Sequence, residues 1–335
     1  MSSSAARRKW GTYLPHQRFN VDQVPLPFVN DMDSTYEEVG AKRVAINQNG
    51  PSLGKRQASA QVCFRGVLPD PPEGDDAAKA KFKRHFHAQP KKCIIFRGTG
   101  QRISAEEKAS YPDDFVALWQ PKAWVDRPTA EAWAKQVWLP FIKAERDAGV
   151  AGDDDRYLLF QDNLDSQLQP AYLKTLREDC STDNHQARAP RSCPYPLAPP
   201  TAHCPLQHCA TATAFSSNCN CVCSAAQVPP NKTDQVQPVD RGLGRHIKIY
   251  LGQEMDAWLQ DADNLGRWEG NDNPLSASDR RILLANWYCT AVDKALEGSS
   301  KRRYFEVSGA LLTADGTDDD LIKLEGVPAG DNFSF

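Results

Sequence analysis

Apolar residues recur in this chain with two periods, and each switch between them marks an element. From Arg18 to Asp22 the residues alternate, with Phe19 and Val21 on one side and Asn20 and Asp22 on the other, which predicts a strand that Asp22 ends. Runs at Lys42–Asn47 and Ala58–Val67 predict two more strands, and the turn-formers Asn49, Gly50 and Pro51 between them suggest an antiparallel meander. Pro69–Pro90 mixes proline, glycine and charge and reads as a surface excursion before a buried strand at Cys93–Phe96, with another short strand at Val116–Trp119. Tyr157–Phe160 is a compact apolar run ended by Gln161 and Asp162, the pattern of a fully buried strand that delivers a carboxylate at its C-terminal end.

The helical period takes over where Asp126 and Pro128 give start signals and Trp133, Val137 and Phe141 recur at every fourth position, with Ala130 and Ala134 beside them. Those aromatic residues are expected in the core. Pro170–Arg177 predicts a short amphipathic helix. A long helical pattern then runs from Asp240 through Leu243, Ile247, Leu251, Met255 and Trp258, which puts Asp240 at a helix start with Gly244 and Ile247 on its face. Ser276 with Asp279 three residues on predicts a capped helix carrying Ile282, Ala285, Asn286 and Cys289.

Neither period is present between Asn184 and Thr233. That window holds no Asp or Glu, although these make up 43 of the 335 residues, and it is rich in Cys, Pro, Ala and Thr. An irregular insertion over 184–227 is the reading, since long loops inside compact domains are functional or foreign. The window also offers a zinc site from His203, Cys204, His208, Cys209, Cys219, Cys221 and Cys223, but it lacks paired C-x-x-C knuckles. The acidic run Asp315–Asp320 has Gly316 at its second position and no closing Glu, so a solvated turn outweighs a calcium loop. Arg302 and Arg303 beside Tyr304 and Phe305 suit a basic helix end better than a phosphate track.

Composition narrows the class. A formal charge of −3 excludes a general polyanion binder, so any nucleic-acid contact requires a local patch. No stretch approaches the roughly 18 apolar residues of a membrane span, and the start MSSSAARRKW has no apolar segment after its basic residues, so neither membrane nor secretion is expected. Of ten cysteines, all but Cys63, Cys93 and Cys289 fall between Cys180 and Cys223, and those three read as reduced core thiols.

Three aspartates carry the candidate chemistry: Asp22 in FNVDQ, Asp162 in YLLFQDN and Asp240 in PPNKTDQVQPVD. Carboxylates converging from distant parts of a chain can hold hard cations for phosphodiester chemistry. The flanking residues FNVDQVPLPF, LLFQDN and PPNKTDQVQPVDRGLGRHIK resemble the three signature blocks of DDE superfamily endonucleases, in the pogo, Tigger, jerky and centromere-protein-B branch. The last block is the most specific, with Pro229, Pro230, Asn231, Thr233, Gln237, Pro238 and Asp240 in place and Lys248 further along. CFRG, IIFRGTGQRIS, ISAEEKASY and QPKAW, and the tail from SASDRRILLANW to LTADGTDDDLIKLEG, extend the similarity over nearly all of residues 18 to 328 outside the window.

The resemblance implies an α/β fold, a ribonuclease-H-like mixed sheet flanked by helices: a polar segment 1–17, a catalytic core 18–265 interrupted by 184–227, and a helical extension 266–335. It implies that Asp22, Asp162 and Asp240 are the catalytic and metal-binding residues for two Mg2+ or Mn2+ ions, that DNA is the partner, and that the location is nuclear. Arg7, Arg8 and Lys9 alone are too few to make a nuclear signal. The alternative is a catalytically inert nucleic-acid-binding module or transposon remnant. Three departures stand out: Val24 replaces the usual Thr, no helix-turn-helix region precedes Asp22, and the interval from Asp162 to Asp240 is about twice the family's. That interval predicts a compromised strand beside Asp162, replaced by something like Cys219–Val228, and an Asp240 unable to reach the site.

Overall fold

A six-stranded mixed sheet organises the molecule, in the order β4-β3-β2-β1-β5-β6. The computed structural model describes residues 13–26, 58–74, 76–162, 165–186, 237–270, 273–297, 300–311, 313, 317 and 321–323. The strands are β1 (Arg18–Leu26), β2 (Ala58–Arg65), β3 (Lys92–Arg97), β4 (Phe115–Gln120), β5 (Tyr157–Gln161) and β6 (Thr182–Gln186). β2 runs antiparallel to both its neighbours, while the β1–β5, β5–β6 and β3–β4 pairings are parallel, so every strand except β2 points the same way. The predicted strand at Lys42–Asn47 lies outside the described residues, as do the acidic run apart from Thr317 and the window from residue 187 onward with its proposed zinc ligands.

Alternation along β1 explains the two layers. Phe19 and Val21 enter one core with Trp133, Trp138 and Phe141, while Val24 and Leu26 enter the other with Ile247, Leu251 and Tyr288. The first core is covered by α3 (Arg127–Trp133), which continues through a π-helical turn (Ala134–Trp138) into α4 (Leu139–Asp147). Asp126 caps it by accepting the Thr129 N–H at 3.0 Å, as the sequence signal indicated. The second core lies under α6 (Gly244–Leu259) and α8 (Ala277–Leu296), the latter opened by the reciprocal Ser276–Asp279 capping box. Asn286 faces solvent on α8, contrary to the expected face. Cys63, Cys93 and Cys289 are free thiols.

Three further expectations require correction. Asp22 does not end its strand, because β1 continues to Leu26 on the strength of its β2 ladder. The excursion between Pro69 and Pro90 contains a helix, α1 (Asp76–His85), which buries no residue. Its acidic start and basic last turn complement the helix dipole, so local electrostatics rather than an apolar stripe support it. Third, the neighbour of β5 is Thr182–Gln186, so the first residues of the supposed insertion are ladder residues, Leu159 pairing with Asn184 and Gln161 with Gln186. The strand beside Asp162 is therefore present. Its sequence, TDNHQ, carries no apolar signal; side chains pin it instead. Arg156 grips Asp183 through two bonds of 2.7 and 2.8 Å, the Tyr13 hydroxyl donates to Asp183 at 2.6 Å, and the Trp138 indole donates to Thr182 at 2.9 Å.

The deepest charged pair joins β2 to α4. Arg65 and Glu145 have fully buried side chains and meet through bonds of 2.7 and 3.0 Å. The guanidinium also donates to the carbonyls of Ala88 and His87 at 3.0 Å each, and lies 5.3–5.4 Å from the ring centres of Phe19, Phe86 and Phe141. Glu145→Ala would leave a desolvated cation without its partner, a loss of about 3–5 kcal/mol. Chemical denaturation of this variant checks the figure, and replacing both residues together, Arg65→Met with Glu145→Leu, should recover most of the loss.

Candidate functional site

The parallel ladder between β1 and β5 closes at Val21 and Gln161, so Asp22 is the first residue of β1 beyond its β5 neighbour and Asp162 the first beyond β5 itself. From there to Leu26, β1 has a partner on the β2 side only. Pro25, which has no N–H to offer a ladder, stands in that one-sided stretch. The freed edge opens a crevice at the carboxyl ends of the parallel strands, where ligands bind in open α/β sheets.

The third segment enters this crevice as a π-helical turn, Val239–Leu243, leading into α6. Its placement depends on Asn20. That side chain is fully buried two residues before Asp22, donates to the Phe160 carbonyl at 3.1 Å and to Gln237 Oε1 at 3.4 Å, and accepts the Val239 N–H at 2.8 Å. One amide therefore ties β1, the end of β5 and the turn that carries Asp240. Two glycines let the turn come close. Gly242 has φ 143°, and a Cβ there would stand 2.9 Å from the Tyr304 ring, while one at Gly244 would press on Val24 at 3.3 Å.

Asp240 therefore reaches Asp22 despite its distance in sequence, which corrects the expectation that the long interval would keep it away. Burial, then the charge of Asp240, then that of Asp162 push the Asp22 carboxyl up to about 8, against the Gln23 N–H that its Oδ1 accepts at 2.7 Å. Asp22 and Asp240 are hydrogen-bonded through their side chains. At neutral pH Asp22 thus holds a proton that it shares with Asp240. Asp22 and Asp162 are half-buried and Asp240 is exposed, so the pair faces the opening. Among the described residues no group of three or more His, Cys, Asp or Glu side chains is drawn together in a ready metal cage.

The same edge carries groups that the sequence did not single out. The loop after β4 presents exposed Lys122 and Trp124, the latter 48% exposed, and is held to β1 by the Gln23 amide donating to the Ala123 carbonyl at 3.1 Å. Exposed Arg97 ends β3 beside it. Trp124 lies within QPKAW, yet nothing in that motif distinguishes an exposed indole from a buried one. Arg302, by contrast, is engaged by Glu306 at 2.7 Å, while Tyr304 and Phe305 are core residues, in line with a structural helix end. The chain matches no family model, no curated protein and no solved structure.

Two measurements follow from this geometry. Asn20→Ala removes a buried donor and acceptor at once and leaves the Val239 N–H without its partner, so unfolding free energy should fall by about 1–3 kcal/mol, read from urea denaturation. The second concerns pH. Because the folded-state value for Asp22 lies above its ordinary one, its contribution to stability is present at acid pH and is lost as pH rises through about 8. Asp22→Asn should therefore melt at a higher temperature than the parent in a metal-free buffer above that pH, by about 2 °C or more, with the gap shrinking as pH falls toward the ordinary carboxylate range.

Proposed function

We propose that the chain is a transposase-derived DDE endonuclease domain of ribonuclease-H-like fold, which cleaves DNA phosphodiester bonds with divalent magnesium or manganese. The observation that carries this reading is the mutual influence of Asp22, Asp162 and Asp240, which come from three distant stretches, at the carboxyl edge of the sheet. A mixed sheet flanked by helices, with one antiparallel strand, supports the fold assignment.

The donor set fits a hard cation. Its groups are carboxylate oxygens, the ligand type suited to magnesium and manganese. The raised Asp22 carboxyl is the mark of negative charge crowded without a counter-ion, so a cation there would displace the shared proton and relieve the repulsion. Asp22 and Asp240 would hold it, joined by Asp162. When bound, such ions polarise a phosphoryl oxygen and lower the pKa of water, so that hydroxide is available at neutral pH. The protein's own part is positional. Asn20 keeps the Asp240 turn on β1, while Arg97 and Lys122 offer charge to phosphates and Trp124 offers a face on which a base can stack. The nuclear location belongs to the same proposal.

Incubating the full chain with labelled duplex DNA tests it. Cleavage should appear with magnesium and with manganese and vanish with EDTA, and Asp22→Asn should abolish it while leaving salt-sensitive DNA binding nearly unchanged, because that binding depends on counterion release. Cleavage that survives both EDTA and Asp22→Asn would remove the mechanism. DNA binding without cleavage under every ion would leave the inert nucleic-acid-binding module as the function.

A further inference from the structure

Between β2 and β3 the sheet is closed at one end only. Their ladder consists of Ala58 with Phe96, Ser59 with Ile95 and Ala60 with Ile94. Beyond it β2 stays with β1 as far as Arg65 pairing with Phe19, while Lys92 and Cys93 stay with β4. The two halves of the sheet part at Gln61, and a cavity of about 730 Å³ occupies the split. This volume falls within the range of small-molecule sites, roughly 300–1,000 Å³.

Its walls come from both helical layers. Phe141 and Val137 line it from the α3–α4 side, Tyr288 and Val292 from α8 on the opposite face, and Gln61 and Cys63 from the strand between. A flat ring entering the split therefore meets an aromatic residue on either side of the sheet, an arrangement in which aromatic pairs gain beyond simple burial. Charged residues, including Lys91, Asp113 and Glu297, surround the mouth, so the apolar surface lies inside.

One polar atom inside has no partner. Gln61 is only 3% exposed, and its carbonyl oxygen, Oε1, accepts no hydrogen bond. A buried acceptor left unpaired is destabilising by about 1–3 kcal/mol, and a water needs two to four polar partners to settle. In an interior with mostly apolar walls, a donor carried on an apolar body answers this acceptor better. We propose that the split is a binding site for a small flat aromatic molecule bearing one N–H or O–H donor, with the donor directed at Gln61 Oε1 and the ring between Phe141 and Tyr288. The site opens near the amino ends of β3 and β4, whereas the aspartates stand beyond the carboxyl ends of β1 and β5. It does not depend on the endonuclease reading.

Calorimetric titration of the full chain with indole and with indene, its near-isostere without the N–H, separates the donor from the ring. Indole should bind saturably at one site and about tenfold more tightly than indene, the ratio that one satisfied buried acceptor supports. Gln61→Met should bring the two ligands within about twofold of each other by weakening indole alone. Ala144→Phe, which fills the split from α4, should remove binding of both; Val292→Phe does the same from α8 and serves if the first variant fails to fold. Absence of saturable indole binding, equal affinities for indole and indene in the parent chain, or binding undiminished in the filled variant would each overturn the proposal.

Discussion

The amide of Asn20 is the point at which three otherwise separate stretches of chain become one site. Its oxygen takes the Val239 N–H and its nitrogen serves the Phe160 carbonyl and Gln237, all in a fully buried setting. A buried amide of this kind has one geometry that satisfies it, and any shift of the Asp240 turn relative to β1 leaves polar groups unpaired. Hydrophobic packing of Val239, Leu243 and Ile247 against the sheet supplies the attraction, but packing alone is not directional. The hydrogen bonds add the register.

That register brings acidic side chains together, which opposes folding. Asp22 responds by holding its proton into the neutral range, and the rest of the molecule must supply the stability that the crowded carboxylates withhold. The Arg65–Glu145 pair on the opposite face of the sheet lies close to this need. It ties β2, the direct ladder partner of β1, to α4 and to the segment before β3, so that the strand bearing Asp22 is held from behind while its front carries like charges. Destabilised chemistry at an edge with a rigid mount behind it is a common division of labour in enzymes.

Signals that act over a few residues were legible in the sequence. The Asp126 and Ser276 caps, the four buried apolar residues of β5 and the stripe from Leu243 to Met255 appear where the pattern places them, because capping and periodic burial are local properties. Asn20 could be assigned to the face of Asp22, but its partners lie far along the chain and no spacing reveals them. β6 escaped notice because an edge strand held by Asp183 and Thr182 side chains needs no alternating apolar residues. α1 escaped because it buries nothing, and the π-helical turns because one extra residue per turn is hidden within an ordinary helical stripe. The split between β2 and β3 is a matter of which ladder continues, and Gln61 reads as an ordinary polar position in a strand.

The double anchoring around the long interval has an evolutionary consequence. One end is secured in the sheet by the β5–β6 ladder and the other by Asn20, so the positions of Asp162 and Asp240 are set by contacts that do not involve residues 187–236. Closing a longer connection between two fixed points adds only about 0.6 kcal/mol for each doubling of its length when the connection is flexible. A gene encoding this architecture can thus accept foreign sequence at that point, lose it again, or vary it between lineages, while selection on the flanking blocks continues uninterrupted. The joint between β6 and the Asp240 turn is where such a lineage can record its insertions without erasing its site.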